Sequence, residues 1–400
     1  MWKGSISMKH VISLIETQGR IQTLSLPGLE ASSSIRLRDF FQPSQVFSRI
    51  HELNIALSHD QTCDGEIYEI VKKSPNLREL HIRFSRDTAD AASQAVRVRI
   101  NASMNRKRLH STVTRLTLHG TTFSSPNAIE FPALRALAVI DCDFEGLFFI
   151  NLDPKAFPQL IALMVKTHGT VDSVTLRVFM RGLKGLRELI VEGVGSWFSD
   201  CSEITKHGRT LQLLSLWNLQ DTCSFSAVEN EAEDALGALP ALRHLSLFVA
   251  DVFSNYSGMH LGFNCRTYGS ILTPWAREDQ NFAHVDQGAL SEESLGRDTI
   301  TRVRDGLDIY KPTDSLEYLS VTATCRLYPG RLKHDSTFHR KDSTSFKKHM
   351  FSLKPKVTFG ETSEMKKQML DEYSGDGYYF LEEYIDGTME KSQVYLTNRS

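Results

Sequence analysis

The sequence predicts an α/β fold: a curved solenoid with a parallel β-sheet on its concave face and helices on its convex face. Three observations predict it. One phrase returns along the chain: Phe131-Pro-Ala-Leu134-Arg-Ala-Leu137-Ala-Val139, then Phe157-Pro-Gln-Leu160-Ile-Ala-Leu163-Met-Val165, then Leu239-Pro-Ala-Leu242-Arg-His-Leu245-Ser-Leu247. Its apolar frame, L-x-x-L-x-L with Ile or Val allowed, starts at Ile21, Ile50, Leu77, Val113, Leu134, Leu160, Leu186, Leu211, Leu242 and Leu316. Finally, Pro75, Pro132, Pro158 and Pro240 each stand two residues before the first apolar position of a copy.

Each observation has a physical reading. The last two apolar residues of a copy are two apart, so in an extended chain they share a face. A strand this short is not stable alone, and many such strands bury their apolar faces only against one another. Proline cannot continue a helix and disfavours helical geometry in the residue before it, so it marks a switch from helix to strand.

The elements follow in chain order. Residues 1–20 carry Met8, Val11, Ile12, Leu14 and Ile15 at helical spacing and are expected to cap the stack. The repeats should run from 21 to 326. Returning helices are expected over Glu66–Lys73, Asp90–Lys107, Val174–Leu183 and Ala227–Leu239. The step from Leu242 to Leu316 is 74 residues, whereas earlier steps lie between 21 and 36. That gap holds Ser254–Gln287, rich in Asn, Gly, Ser and Tyr, which reads as a loop insertion. Residues 290–310 then look helical. From 327 to 400 the chain is basic over Arg331–Lys356 and then acidic and aromatic over Glu361–Glu390. This part reads as a tail of low order with a helix over Ser363–Tyr373.

Ten copies, several at near-constant spacing, resemble the leucine-rich-repeat family, especially its long, ribonuclease-inhibitor-like members. Family repeats continue to an Asn or Cys whose side chain bonds the turn backbone, and Cys142 and Asn218 stand in such places. The layout is similar to that of fungal-type F-box/leucine-rich-repeat proteins of ubiquitin ligases. That likeness implies a substrate receptor that docks an adaptor subunit through an amino-terminal F-box. No F-box is recognisable: Leu26-Pro27 is followed by Gly28-Leu29-Glu30-Ala31 and three serines, and overlaps the first strand.

Composition narrows the class. Net charge is −2 with 24% charged residues, so no global bias toward nucleic acid exists. The opening residues lack the apolar core of a secretory signal, and no apolar run approaches a membrane span. The six cysteines form no C-x-x-C. An intracellular chain, cytoplasmic or nuclear, with thiols in a reducing compartment is expected.

No phosphate loop, H-E-x-x-H or G-x-S-x-G occurs. His334, His339 and His349 match no zinc spacing. Asp141 and Asp143 beside Cys142 would raise a thiol pKa rather than activate it. The Glu382-Glu383 pair has no matching base. No catalytic, cofactor-binding or metal-binding residue is therefore expected, and the chain reads as no enzyme.

What remains is the sheet face opposite the leucines. Its outward positions include Ile140, Met164, Lys166, Ile190, Glu192, Trp217 and Phe248, an apolar patch with charged flanks. Such a patch is a candidate protein-binding site. Trp217 and Phe248 should neighbour each other on adjacent strands, whereas Arg187, in a turn, should tolerate alanine. The competing expectation is that the tail or the insertion folds back over the patch. The second functional class is nucleic-acid association through the basic segments 97–108 and 331–356. A monomer outside its complex is expected.

Overall fold

The computed structural model describes residues 17, 22–26, 47–57, 71–84, 98–100, 109–119, 121–123, 129–140, 142, 149, 152–170, 173–194, 202–218, 238–249, 315–325, 345–352, 358–359, 362–373 and 375–386. It divides into two compact units, Met1–Leu186 and Arg187–Ser400.

The first unit holds β1 (Thr23–Leu26), β2 (Glu52–Leu57), β3 (Glu79–Phe84), β4 (Val98–Ile100), β5 (Leu109–His110), β6 (Arg115–His119), β7 (Thr121–Phe123), β8 (Ile129–Glu130), β9 (Ala136–Ile140) and β10 (Ala162–Thr170). Helix α1 (Ser173–Gly182) follows. Six strands form a parallel sheet in the order β1-β2-β3-β6-β9-β10. The second unit holds β11 (Glu188–Val194), α2 (Ser202–Thr205), β12 (Leu213–Asn218), β13 (His244–Val249), β14 (Tyr318–Cys325), β15 (Ser345–Ser352), β16 (Thr358–Phe359), α3 (Thr362–Tyr373) and α4 (Leu381–Asp386). Here β11 to β14 are parallel in sequence order, and β15 and β16 continue antiparallel. The α/β class with parallel strands is thus observed in both units.

The apolar frame fixes the register. In the first unit Leu24, Leu53, Leu80, Leu116, Leu137 and Leu163 are successive partners. In the second, Leu189, Leu214, Leu245 and Leu319 are. All ten are buried. The first apolar residue of each copy from Ile50 onward forms a second buried set, including Leu77, Leu134, Leu186, Leu211, Leu242 and Leu316. Stacking like on like gives the inner leucines of each unit a leucine neighbour on either side, the packing that one repeat cannot supply alone.

The prolines do a more local job than ending helices. Phe131 O accepts the N–H of Leu134 at 3.1 Å, Phe157 O that of Leu160 at 3.2 Å, and Leu239 O that of Leu242 at 3.0 Å. Each F-P-x-L or L-P-x-L phrase is thus a four-residue turn with proline second, where its fixed φ is already right. Phe131, Phe157 and Leu239 are buried beside the first leucine of their copy. Successive turns are stitched by shared carbonyls. Arg187 O accepts from Gln212 and Leu213, Gln212 O from Arg243 and His244, and Arg243 O from Glu317 and Tyr318. Cys142 is buried, with its thiol 3.5 Å from Leu118 O and from Ile140 O.

Other expectations meet the structure unevenly. The helix over Val174–Leu183 is α1, which buries Leu176, Phe179 and Met180 while Phe179 meets Phe149 and Phe157 edge-on or tilted. The helix over Ser363–Tyr373 is α3. Within Asp90–Lys107, Val98–Ile100 is instead strand β4, paired with β7; alternating β-branched residues suit a ladder better than a helix. Within the stretch from 327 to 400, β15 extends the second sheet, and Met365, Met369, Tyr373, Phe380, Leu381, Tyr384 and Ile385 are buried. Those apolar residues, masked in sequence by the charges between them, are what tie this stretch down. The insertion at 254–287, the helix at 290–310 and nearly all of the capping helix lie outside the described residues.

Candidate interaction surface

In each strand of the second unit the residues flanking the buried leucine point to the opposite face. Three rows result. The row at the start of the strands is Glu188, Leu213, His244 and Tyr318. The middle row is Ile190, Ser215, Ser246 and Ser320, and the next begins Glu192, Trp217. In the first unit the corresponding middle row runs Ser25, Asn54, His81, Thr117, Ala138 and Met164, and the next row includes Arg83, His119, Ile140 and Lys166.

On the second unit this face is covered by the chain's own C-terminal segment. Glu188 accepts the Tyr379 N–H at 2.8 Å and the Phe380 N–H at 2.7 Å. These are donors just ahead of α4, so a carboxylate from the sheet caps a helix from the tail. The Tyr384 hydroxyl donates to Leu245 O at 2.9 Å. Ser215, Ser246 and Ser320 are buried in the middle row of the same strands.

Beside it the turn residues grip the segment from the edge. Arg187 donates through Nε to Gln212 at 2.8 Å and through Nη2 to Asp376 O at 2.7 Å, and its guanidinium lies 4.3 Å from the Tyr378 ring centroid. The Tyr378 hydroxyl donates to Gln212 at 3.0 Å. Arg243 forks onto Glu317 at 3.1 and 3.2 Å, reaches Asp376 at 3.2 Å and stacks 4.8 Å over Tyr373. The Tyr373 hydroxyl bonds Glu317, and Tyr318 donates to Glu372 at 2.8 Å. His244 sits inside a ring of tyrosines, with Tyr373 at 4.6 Å, Tyr378 at 5.3 Å, Tyr318 at 5.8 Å and Tyr384 at 6.1 Å.

The electrostatics follow from burial. Loss of water pushes the Glu188 carboxyl up to about 7, against the pull of the Tyr379 and Phe380 N–H groups. Burial also raises Tyr384, and burial with the Glu317 bond raises Tyr373. Burial works against the Arg243 charge, but Glu317 more than compensates and holds the guanidinium protonated. In the first unit, Glu79 lies below the ordinary carboxylate range through its bond to His81 and the Arg115 charge, which outweigh burial.

The residues expected to form an exposed patch divide. Ile140 and Glu192 are half-buried. Met164, Lys166 and Ile190 are buried, at 2%, 4% and 0% exposure, so the exposure expected of them is absent. For Ile190 the cause lies in the face it shares with Glu188, the face on which the C-terminal segment docks. Trp217 and Phe248 each follow the partnered pair Leu216 and Leu247 by one residue; their side chains lie outside the described residues. Arg187 is no indifferent turn residue, since it holds Gln212, Asp376 and Tyr378. The row before the second leucine lies outside the apolar frame of the sequence. Its signal is the mixed set Glu188, His244 and Tyr318 at one repeat position, above a run of three serines.

Among the described residues no helix is long and apolar enough to cross a membrane, and no three His, Cys, Asp or Glu side chains group as metal ligands. No family model and no curated protein matches the sequence.

Proposed function

We propose that this chain is a non-catalytic interaction protein built as a leucine-rich-repeat solenoid, and that the sheet face opposite the leucine ladder holds a protein partner. The observation that carries the reading is the register. With leucines stacked on one face, the other face becomes an ordered grid on which unlike residues, such as Glu192 beside Trp217, stand at fixed spacing. Such a grid recognises shape and charge over an area; it is not a reaction centre. Substrate recognition for an F-box-type ubiquitin ligase is the specific form of this reading, supported by the repeat layout.

The test is capture of the partner by full-length chain. Trp217→Ala is expected to lose capture, with a cost on the order of 2 kcal/mol or more, while the thermal midpoint stays near that of the parent. Unfolding of that variant would make Trp217 part of the core. A steep loss of binding between low and moderate salt would favour phosphate contacts through the basic segments instead. Absence of adaptor binding by the full-length chain would remove the ligase form of the reading.

A further inference from the structure

We propose that Arg187, Gln212, Arg243 and Glu188 form a peptide-reading site whose ligand class is an acidic-aromatic segment entering a helix, and that residues 376–380 occupy it within the chain. The proposal deepens the reading of this face as a partner site and rests on it.

The contacts converge on five consecutive residues of Asp-Gly-Tyr-Tyr-Phe, and each reads a different feature. Arg243 takes the Asp376 carboxylate and Arg187 its carbonyl. Gly377 has φ +68°, which turns the chain so that Tyr378 comes under the Arg187 guanidinium and reaches Gln212. Glu188 then takes the next two N–H groups. Cation, amide and carboxylate are ordered along one edge, complementary to anion, phenol and helix N-terminus along the other.

This is the arrangement of recognition rather than of stability. Glu188 is wholly buried. Withdrawing the Glu188 carboxylate from water is expensive, and an apolar residue there would hold a permanent cap as well or better, while Arg187 and Arg243 stay half-exposed beside it. What charged groups add is selectivity for an occupant that answers each of them. The outer side of the bound turn stays open: Gly375, Asp376 and Gly377 are exposed, and nothing lies within 4 Å of a Cβ built on either glycine. An external segment of the same chemistry therefore competes for the same groups.

The test uses the full chain carrying Leu381→Ser and Tyr384→Ser, which loosens its own segment without touching the reading residues. The probe is a fluorescent peptide with the sequence of residues 373–386. The double variant is expected to bind it roughly tenfold or more tightly than the parent, whose site is already filled. Adding Arg243→Glu to the chain, or Asp376→Lys to the peptide, should abolish the gain. A double variant that unfolds cooperatively like the parent yet binds no peptide overturns the proposal. So does one that loses cooperative unfolding, because the segment is then an integral part of the fold. An independent variant, Asp376→Lys in the parent, alters only an exposed residue. Hydrogen exchange at Tyr379 and Phe380 should accelerate in it while the β12 amides stay protected; change at both, or at neither, also overturns the proposal. Partner capture by Trp217→Ala reads a different row of the face, so either idea can fail while the other stands.

Discussion

The carboxylate of Glu188 accepts the backbone N–H of Phe380 at 2.7 Å across 192 residues of sequence. The bond joins the first strand of the second unit to the start of α4. It makes the position of the C-terminal segment depend on one side chain in a row that the leucine pattern does not govern. Two neighbouring turns add Arg187 and Arg243 to the same grip.

The burial of the Glu188 carboxyl group has a pH signature. The folded value of about 7 stands above the ordinary carboxylate value of 4.5, so between them the folded chain holds a proton that the unfolded chain has released. The group's contribution is full below the lower value and is lost as pH rises through the upper one. Unfolding measured from about pH 5 to about pH 8 should therefore show stability falling by up to roughly 3 kcal/mol from this source. In Glu188→Gln that component should vanish. A variant profile parallel to the parent's would mean that Glu188 is not its origin.

The leucine ladder should be insensitive to such changes and sensitive to volume. Leu189 is fully buried between its register partner Leu214 and the core behind it. Leu189→Ala should cost about 2–5 kcal/mol in denaturant unfolding, the range for a leucine whose site cannot collapse. A cost under about 1 kcal/mol would mean that the ladder tolerates a cavity at this repeat.

Leu137, Leu163, Leu189, Leu214 and Leu245 could be placed from sequence because a period-two apolar pattern, repeated ten times, admits one register. The turns were legible through their prolines, although as helix ends rather than as the Phe131–Leu134 type of turn. The covering of the sheet was harder to see. Tyr373, Phe380, Tyr384 and Ile385 are spread among acidic residues, and neither helical nor strand periodicity sets them apart over so short a span. Their partners are remote: Phe380 bonds Glu188 across 192 residues and Tyr384 bonds Leu245 across 139, and no local pattern encodes such a pairing. Ile190 looked exposed because strand parity gives a face, not what lies on it.

Arg243 is the most connected of the gripping residues. Replacing it with alanine removes the fork to Glu317, the contact with Asp376 and the stack over Tyr373, and takes the cation away from the part-buried Glu317. The loss should be about 1.5–3 kcal/mol, as for hydrogen bonds to a charged group. Lysine should not restore it, since a single ammonium cannot fork onto a carboxylate. Hydrogen exchange across 375–386 should accelerate in both variants. Full rescue by Arg243→Lys would reduce the role of Arg243 to charge alone.

Two glycines in one turn separate backbone geometry from space. Gly375 and Gly377 are both exposed, and a Cβ added at either meets nothing within 4 Å. They differ in φ, which is +68° at Gly377, in the left-handed region, and outside that region at Gly375. A Cβ at Gly377 crowds its own carbonyl and should cost about 1–2 kcal/mol. At Gly375 the same change should stay within roughly 0.5 kcal/mol. The cost at Gly377 should appear as release of the C-terminal segment, read as faster cleavage by a protease acting on Tyr378 to Phe380, while the sheet's unfolding midpoint barely moves. Because Gly377 turns the chain between the Asp376 and Tyr378 contacts, its conformation sets whether both arginines can hold the segment at once. Equal behaviour of Gly375→Ala and Gly377→Ala would show that the turn is not held in the conformation that brings Asp376 to Arg243 and Tyr378 to Arg187.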